Sequence, residues 1–190
     1  MQKLFNITIF ADESCLGNQF EEQANPGGAG GVVEHWEGDQ WIRRDYWVSG
    51  PDTTNNRMAL HSAIVGLNLL RKQPCRIQFV SDSQYLIKGM TEWLPKWKAR
   101  GMRRKGGTIE NIDLWKELDR VAGLCTVDWD WVRGHIGHPQ NEYANHLATS
   151  AAKNATSSGG LIDSGYSAWL TEQRDKYGRF LNYTEFTPPS

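Results

Sequence analysis

Trp131-Val-Arg-Gly-His-Ile-Gly-His-Pro-Gln-Asn-Glu-Tyr-Ala-Asn145 runs from the end of a strand, through a loop rich in glycine and histidine, into the start of a helix. Residues 125–132 predict that strand and residues 141–153 predict the helix. Two other stretches place an acid after a strand: Ile9-Phe-Ala-Asp-Glu-Ser-Cys-Leu-Gly-Asn18 and Phe79-Val-Ser-Asp-Ser-Gln-Tyr85. Residues 4–11 alternate and carry Phe, Ile and Thr, which reads as a central strand. Residues 31–37 and 40–49 are further strands, joined by the hairpin turn Glu37-Gly-Asp-Gln40. Between the first two strands, residues 19–25 are polar and end at Pro26-Gly-Gly-Ala-Gly-Gly31, which reads as a loop-like insertion with a tight turn. Thr53-Thr-Asn-Asn-Arg57 is a cluster of N-cap types. Met58, Leu60, Ile64, Val65, Leu67 and Leu70 follow at helical spacing, and Pro74 ends that helix. Residues 75–80 predict a short apolar strand. Ser81-Asp-Ser83 caps a helix through Tyr85, Leu86, Ile87 and Met90, and residues 111–123 predict another with Ile112, Leu114, Trp115, Leu118 and Val121 inward. Three strands in hairpin order, then alternating strands and helices, predict an α/β sheet flanked by helices.

The 190 residues suffice for one full domain, and the formal charge of −1 leaves its distribution to decide what it binds. Cys15, Cys75 and Cys125 are odd in number and include no C-x-x-C pair. They read as free thiols in a reducing compartment, against both a disulfide framework and a zinc site. No signal-type segment and no apolar run near 20 residues is present, which predicts a cytoplasmic, monomeric protein without membrane contact.

Asp12 and Asp82 each follow a strand in this reading, and parallel neighbours would bring the strand ends together. Carboxylates so placed suit Mg²⁺, which favours oxygen ligands, and two such ions can activate a water and steady a leaving oxygen. The bland alternative for either Asp is a helix cap, which Ser-Asp-Ser83 resembles closely.

Ala-Asp12-Glu-Ser-Cys-Leu-Gly-Asn18, Thr53-Thr-Asn-Asn-Arg-Met58, Ser81-Asp-Ser-Gln-Tyr85 and Gly134-His-Ile-Gly-His-Pro-Gln-Asn-Glu142 resemble, in order and spacing, the segments of type 1 ribonuclease H. The resemblance covers about residues 5–153. It implies a ribonuclease H-like five-stranded mixed sheet flanked by helices (residues 1–153) with a C-terminal extension (154–190). It also implies an RNA/DNA hybrid as partner and Mg²⁺ or Mn²⁺ as cofactor. The RNA strand would be cut by an attacking water, leaving a 3′-hydroxyl and a 5′-phosphate. Position by position, Asp12 and Asp82 match two of the family's four acidic ligands. The other two are replaced by Ala59, which offers nothing to a metal, and Asn145, which offers a neutral oxygen. Asp12, Asp82 and Asn145 are therefore the expected metal ligands, and His135 the mobile residue that helps shuttle protons or release product; His138 more simply holds its loop. The alternative is a hybrid-binding protein whose cutting is impaired, by nature or by design. Glu13 stands where the family has Gly. Successive strand residues point to opposite faces, so a bulge is expected to be needed before Glu13 reaches the same ion as Asp12. Glu142 reads as an acid favoured by the helix dipole.

Trp93-Leu-Pro-Lys-Trp-Lys-Ala-Arg-Gly-Met-Arg-Arg-Lys105 carries six cations, no acid and two tryptophans. A charge run is usually a solvated face, but the interleaved aromatics and the family's basic protrusion favour nucleic-acid contact. Lys96, Lys98, Arg100, Arg103, Arg104 and Lys105 would meet phosphates and Trp93 a deoxyribose. Asn18, Thr54, Asn55, Asn56 and Gln84 match the family's groove contacts, although turns and caps use the same residue types. Past residue 154, Ala155-Thr-Ser-Ser-Gly-Gly160 reads as a linker and residues 167–177 as a helix. The aromatic-rich stretch 165–186 predicts docking on the domain, self-association or contact with a partner.

Overall fold

The structure is a computed structural model that describes residues 5–17, 25–70, 75–134 and 137–187. Asn18, Pro74, His135 and the closing Pro-Pro-Ser lie outside the described residues. In chain order the elements are β1 (Phe5–Cys15), β2 (Gly27–Glu37), β3 (Gln40–Gly50), α1 (Asn55–Leu70), β4 (Cys75–Ser81) and α2 (Gln84–Lys88). A π turn (Gly89–Trp93) follows, then α3 (Leu94–Lys98), α4 (Ile112–Ala122), β5 (Thr126–Trp131), α5 (Pro139–Asn154), β6 (Ile162–Asp163) and α6 (Tyr166–Tyr177). The sheet order is β5-β4-β1-β2-β3-β6. The five expected strands are present, and the two-residue β6 comes from the extension.

Gly38 and Asp39 turn the β2–β3 hairpin with φ of 54° and 68°, both left-handed, as a two-residue primed turn requires. The glycine run ahead of it departs from the expected loop. Gly27 to Gly31 is paired strand on both sides. Its lack of side chains serves packing: a Cβ on Gly28 would sit 2.0 Å from the Ala148 carbonyl oxygen of α5. On Gly30 it would sit 2.6 Å from Leu147 Cβ. The run therefore lets α5 lie directly on the strand, a role that composition alone cannot tell from a flexible loop.

One sheet face carries the larger core. There Ile7, Ile9, Ala11, Ile77 and Phe79 meet Ala59, Leu60, Ala63 and Leu67 of α1, with Trp115 and Leu118 of α4. On the other face Phe10 and Val32 meet Tyr143 and Leu147 of α5 and then Tyr166, Trp169 and Leu170 of α6. The extension is thus part of a core. Asp45, only 2% exposed, accepts from the Tyr143 hydroxyl (2.6 Å) and the Gly165 N–H (3.0 Å). Arg43 pairs with Glu34 at 2.8 Å and with Glu185, and its guanidinium lies 4.7 Å from the Tyr166 ring centroid.

The register creates the site. β1 pairs in parallel with β4 only as far as Ala11↔Ser81, while its antiparallel pairing with β2 continues to Cys15↔Gly27. Beyond Ala11, β1 therefore projects past the point where β4 turns away into α2.

Candidate active site

Asp12 lies inside β1 and not after it: the strand runs four residues further than expected, to Cys15. Asp82 follows the last residue of β4. It is not the helix cap; Ser83 is, its hydroxyl accepting from the Leu86 N–H. The chain returning from β5 closes over this corner. The Val132 N–H donates to the Ser81 carbonyl (3.1 Å) and the Trp131 indole N–H to the Asp82 carbonyl (3.0 Å). Gly134 lies so close that a Cβ there would come within 2.2 Å of an Asp82 carboxylate oxygen.

Carboxylate oxygens of Asp12, Glu13 and Asp82 lie within 4.8 Å of one another. Glu13 gets there without a bulge, since Asp12↔Gly30, Glu13↔Ala29 and Ser14↔Gly28 are consecutive pairs. The expectation that convergence needs a bulge is thereby corrected. The two side chains do leave β1 on opposite faces. Asp12 follows Phe10 toward α5, and Glu13 follows Ala11 toward the α1 side, where Ala59 is fully buried and short. Their carboxylates nonetheless converge where the pairing of β1 with β4 has ended.

Burial and the Asp82 carboxylate push Asp12 from 3.8 up to about 7, against hydrogen bonds from the Glu13 N–H (2.7 Å) and the Asn145 amide. Desolvation, then Asp12 and Asp82, hold Glu13 well above the usual carboxylate range, against a hydrogen bond with Ser83. Three acids that repel one another in a poorly solvated corner fit a divalent cation, as does the all-oxygen donor set.

Asn145 sits beside Asp12, to which its amide donates. One turn earlier on α5, Asn141 is 2% exposed. Its amide nitrogen is 3.5 Å from Asp12 Oδ2, and its buried Oδ1 has no hydrogen-bond partner. Sequence reading passed over Asn141, although its i,i+4 spacing from Asn145 puts both on one helix face. Glu142 turns away and pairs with Arg179 of the extension. His138 is the residue before α5.

Of the expected nucleic-acid contacts, Thr54 caps α1, its hydroxyl accepting from the Arg57 N–H at 3.3 Å. Asn55 and Gln84 are exposed and Asn56 half-buried. Lys96, Arg100, Arg103, Arg104 and Lys105 are exposed, while Lys98 pairs with Asp119 at 2.8 Å. Trp93 is half-buried, its ring 5.7 Å from Tyr85 and 6.1 Å from Trp97. These rings, with Arg104, Ile109 and Glu110, line an open pocket of about 350 Å³.

The sequence profile of the RNase H family matches residues 5–153. The chain belongs to the ribonuclease H family. A ribonuclease H of Shewanella sp. (strain ANA-3) is 42% identical over 167 residues, 87% of this chain and 98% of that protein. Ribonuclease HI of Vibrio parahaemolyticus is 40% identical over 162 residues, 85% of this chain and 96% of that one. Among solved structures, LC9-RNase H1, described as a type 1 RNase H with the type 2 active-site motif, is 44% identical with a TM-score of 0.86. The match covers 99% of this chain and 90% of that one. Ribonuclease H proteins are divalent-metal-dependent endoribonucleases acting on the RNA of RNA/DNA hybrids, and this chain is one of them. Among its described residues, no helix is long and apolar enough to cross a membrane.

Proposed function

We propose that this ribonuclease H cuts hybrid RNA with Mg²⁺, or Mn²⁺ in its place, at a two-ion site held by Asp12, Glu13 and Asp82 with Asn145 beside them. The observation that carries the reading is the convergence of three carboxylates despite Ala59: Glu13, from the strand, stands in for the acid that α1 lacks. Bound divalent ions would supply charge neutralisation at the scissile phosphate and lower the pKa of water. The chain does the rest. Burial and neighbouring carboxylates disfavour the ionised forms of Asp12 and Glu13, and bound positive charge would favour them. Asn145 donates to Asp12 and fixes its orientation. Gly134 lets the loop backbone close over Asp82. His135, outside the described residues, follows Gly134 directly and is assigned proton transfer, for which an imidazole near neutrality is suited. Thr54, Asn55, Asn56, Gln84 and the basic arm 93–105 form the hybrid-binding rim.

The test is cleavage of an end-labelled RNA/DNA hybrid in Mg²⁺ and in Mn²⁺. The unaltered chain should cut, and Glu13→Gln and Asp12→Asn should each lose at least about 100-fold in rate while still binding hybrid. Binding without cutting in either ion would favour the impaired, hybrid-binding reading. Unchanged cutting by Glu13→Gln would remove Glu13 from the site.

A further inference from the structure

We infer that Cys75 and Cys125 form a reversible oxidation site, which a small disulfide of the glutathione class converts into an internal disulfide joining β4 to the start of β5. The first parallel pair between these strands is Arg76↔Thr126, and the two cysteines are the residues immediately before it. Neighbouring strands run about 4.8 Å apart, within the roughly 4.4–6.8 Å of Cα separation that a disulfide spans. Both thiols are free, and Cys125 is near enough to Cys75 to hold its thiol proton more tightly. Cys125 lies outside the strand, in the turn after α4, where its N–H donates to the Ala122 carbonyl at 3.2 Å. The backbone there can give way to the S–S geometry as a mid-strand residue cannot.

Access sets the order of events. Cys75 is 3% exposed, and burial, then the neighbouring Cys125, push its thiol up to about 11. Cys125 is half-buried and meets the oxidant first. Its thiolate attacks one sulfur of the small disulfide, forming a mixed disulfide and releasing one thiol. Cys75, as thiolate, then attacks the Cys125 sulfur and expels the second. Two protein thiols lose two electrons, one small disulfide gains them, and both protons leave with the released thiols. Cys15 cannot compete within one chain. β1 places Phe5 opposite Cys75, so Cys15 lies ten residues up the strand, roughly 30 Å away.

The link would close the segment 75–125, which carries Asp82 and the basic arm, and would restrict the unfolded chain more than the folded one. The experiment treats the full chain with glutathione disulfide or diamide, then combines thiol counting, non-reducing peptide mapping and thermal melting. Free thiols should fall from three to one, with Cys75 and Cys125 joined. Tm should rise by roughly 5–15 °C and return on reduction, and Cys125→Ser should show neither change. A count that stays at three overturns the inference, as do pairing through Cys15 or between chains, arrest at the mixed disulfide, or a link without a gain in Tm. No readout involves hybrid or metal ion, so failure here is separate from failure of the functional reading.

Discussion

Asp12 and Glu13 are consecutive strand residues whose carboxylates nevertheless meet, because β1 outruns β4 at Ala11. In the ion-free protein both carboxylates are raised by burial and by neighbouring acids, Asp12 to about 7 with Asp82 beside it and Glu13 with Asp12 and Asp82 beside it. A carboxyl raised on folding stabilises the fold below its unfolded pKa and loses that contribution as pH rises through the folded one. With a chelator present, thermal melting should therefore show a lower Tm at pH 8 than at pH 5. Adding Mg²⁺ or Mn²⁺ should raise Tm more at pH 8 than at pH 5, and Asp12→Asn should flatten both trends. A chelated protein equally stable at the two pH values would mean the acids are better solvated than they look. At this scale the sequence spoke clearly for Asp12 and Asp82, which sit in recognisable motifs. It undersold Glu13, because alternation along a strand is a rule about directions and says nothing about where a neighbouring strand stops. Asn141 was silent for a related reason: only burial separates it from any polar residue in a first helical turn.

Among the elements, β2 was the hardest to read. Five of its first residues, Gly27-Gly-Ala-Gly-Gly31, have almost no side chain, and without α5 in view such a run predicts a loop. Gly28→Ala should lower unfolding stability by about 2–4 kcal/mol in denaturant titration, because its Cβ would meet the α5 backbone and not a side chain able to swing aside. An equally stable variant would mean that α5 lies further from β2. The helices were easier, since α1 and α4 show their periodicity openly. The tryptophans beside the basic arm serve two purposes that sequence cannot separate. Trp97 packs tilted against Trp93 and edge-on against Trp115, while the cations stay exposed. Replacing Arg103 and Arg104 by Ala should weaken hybrid binding and shallow its salt dependence by roughly one phosphate contact each, with Tm unchanged. An unaltered salt slope would detach the arm from the nucleic acid.

Over the whole molecule, the extension completes the second core. Sequence offered docking and partner contact as equal choices for its aromatics. Val32, Tyr143 and Leu147 decide for docking, because without α6 they would face water. Trp169→Ala should cost about 3 kcal/mol of stability, read as a lower denaturation midpoint. If the extension were a loosely attached tail, the midpoint would not move. Arg179→Ala should instead leave the midpoint within about 0.5 kcal/mol, because its ion pair with Glu142 is partly exposed.

Both acids of β1 come from one strand, and the third directly follows the strand beside it. The sixteen residues of α1 thus hold no carboxylate, and past Asn55 and Asn56 they answer only to packing. The body of the helix is freed in this way: substitutions that repack it while leaving its first turn in place are filtered by stability alone. Descendants of this chain can rebuild that wall of the protein without passing through a catalytically dead ancestor.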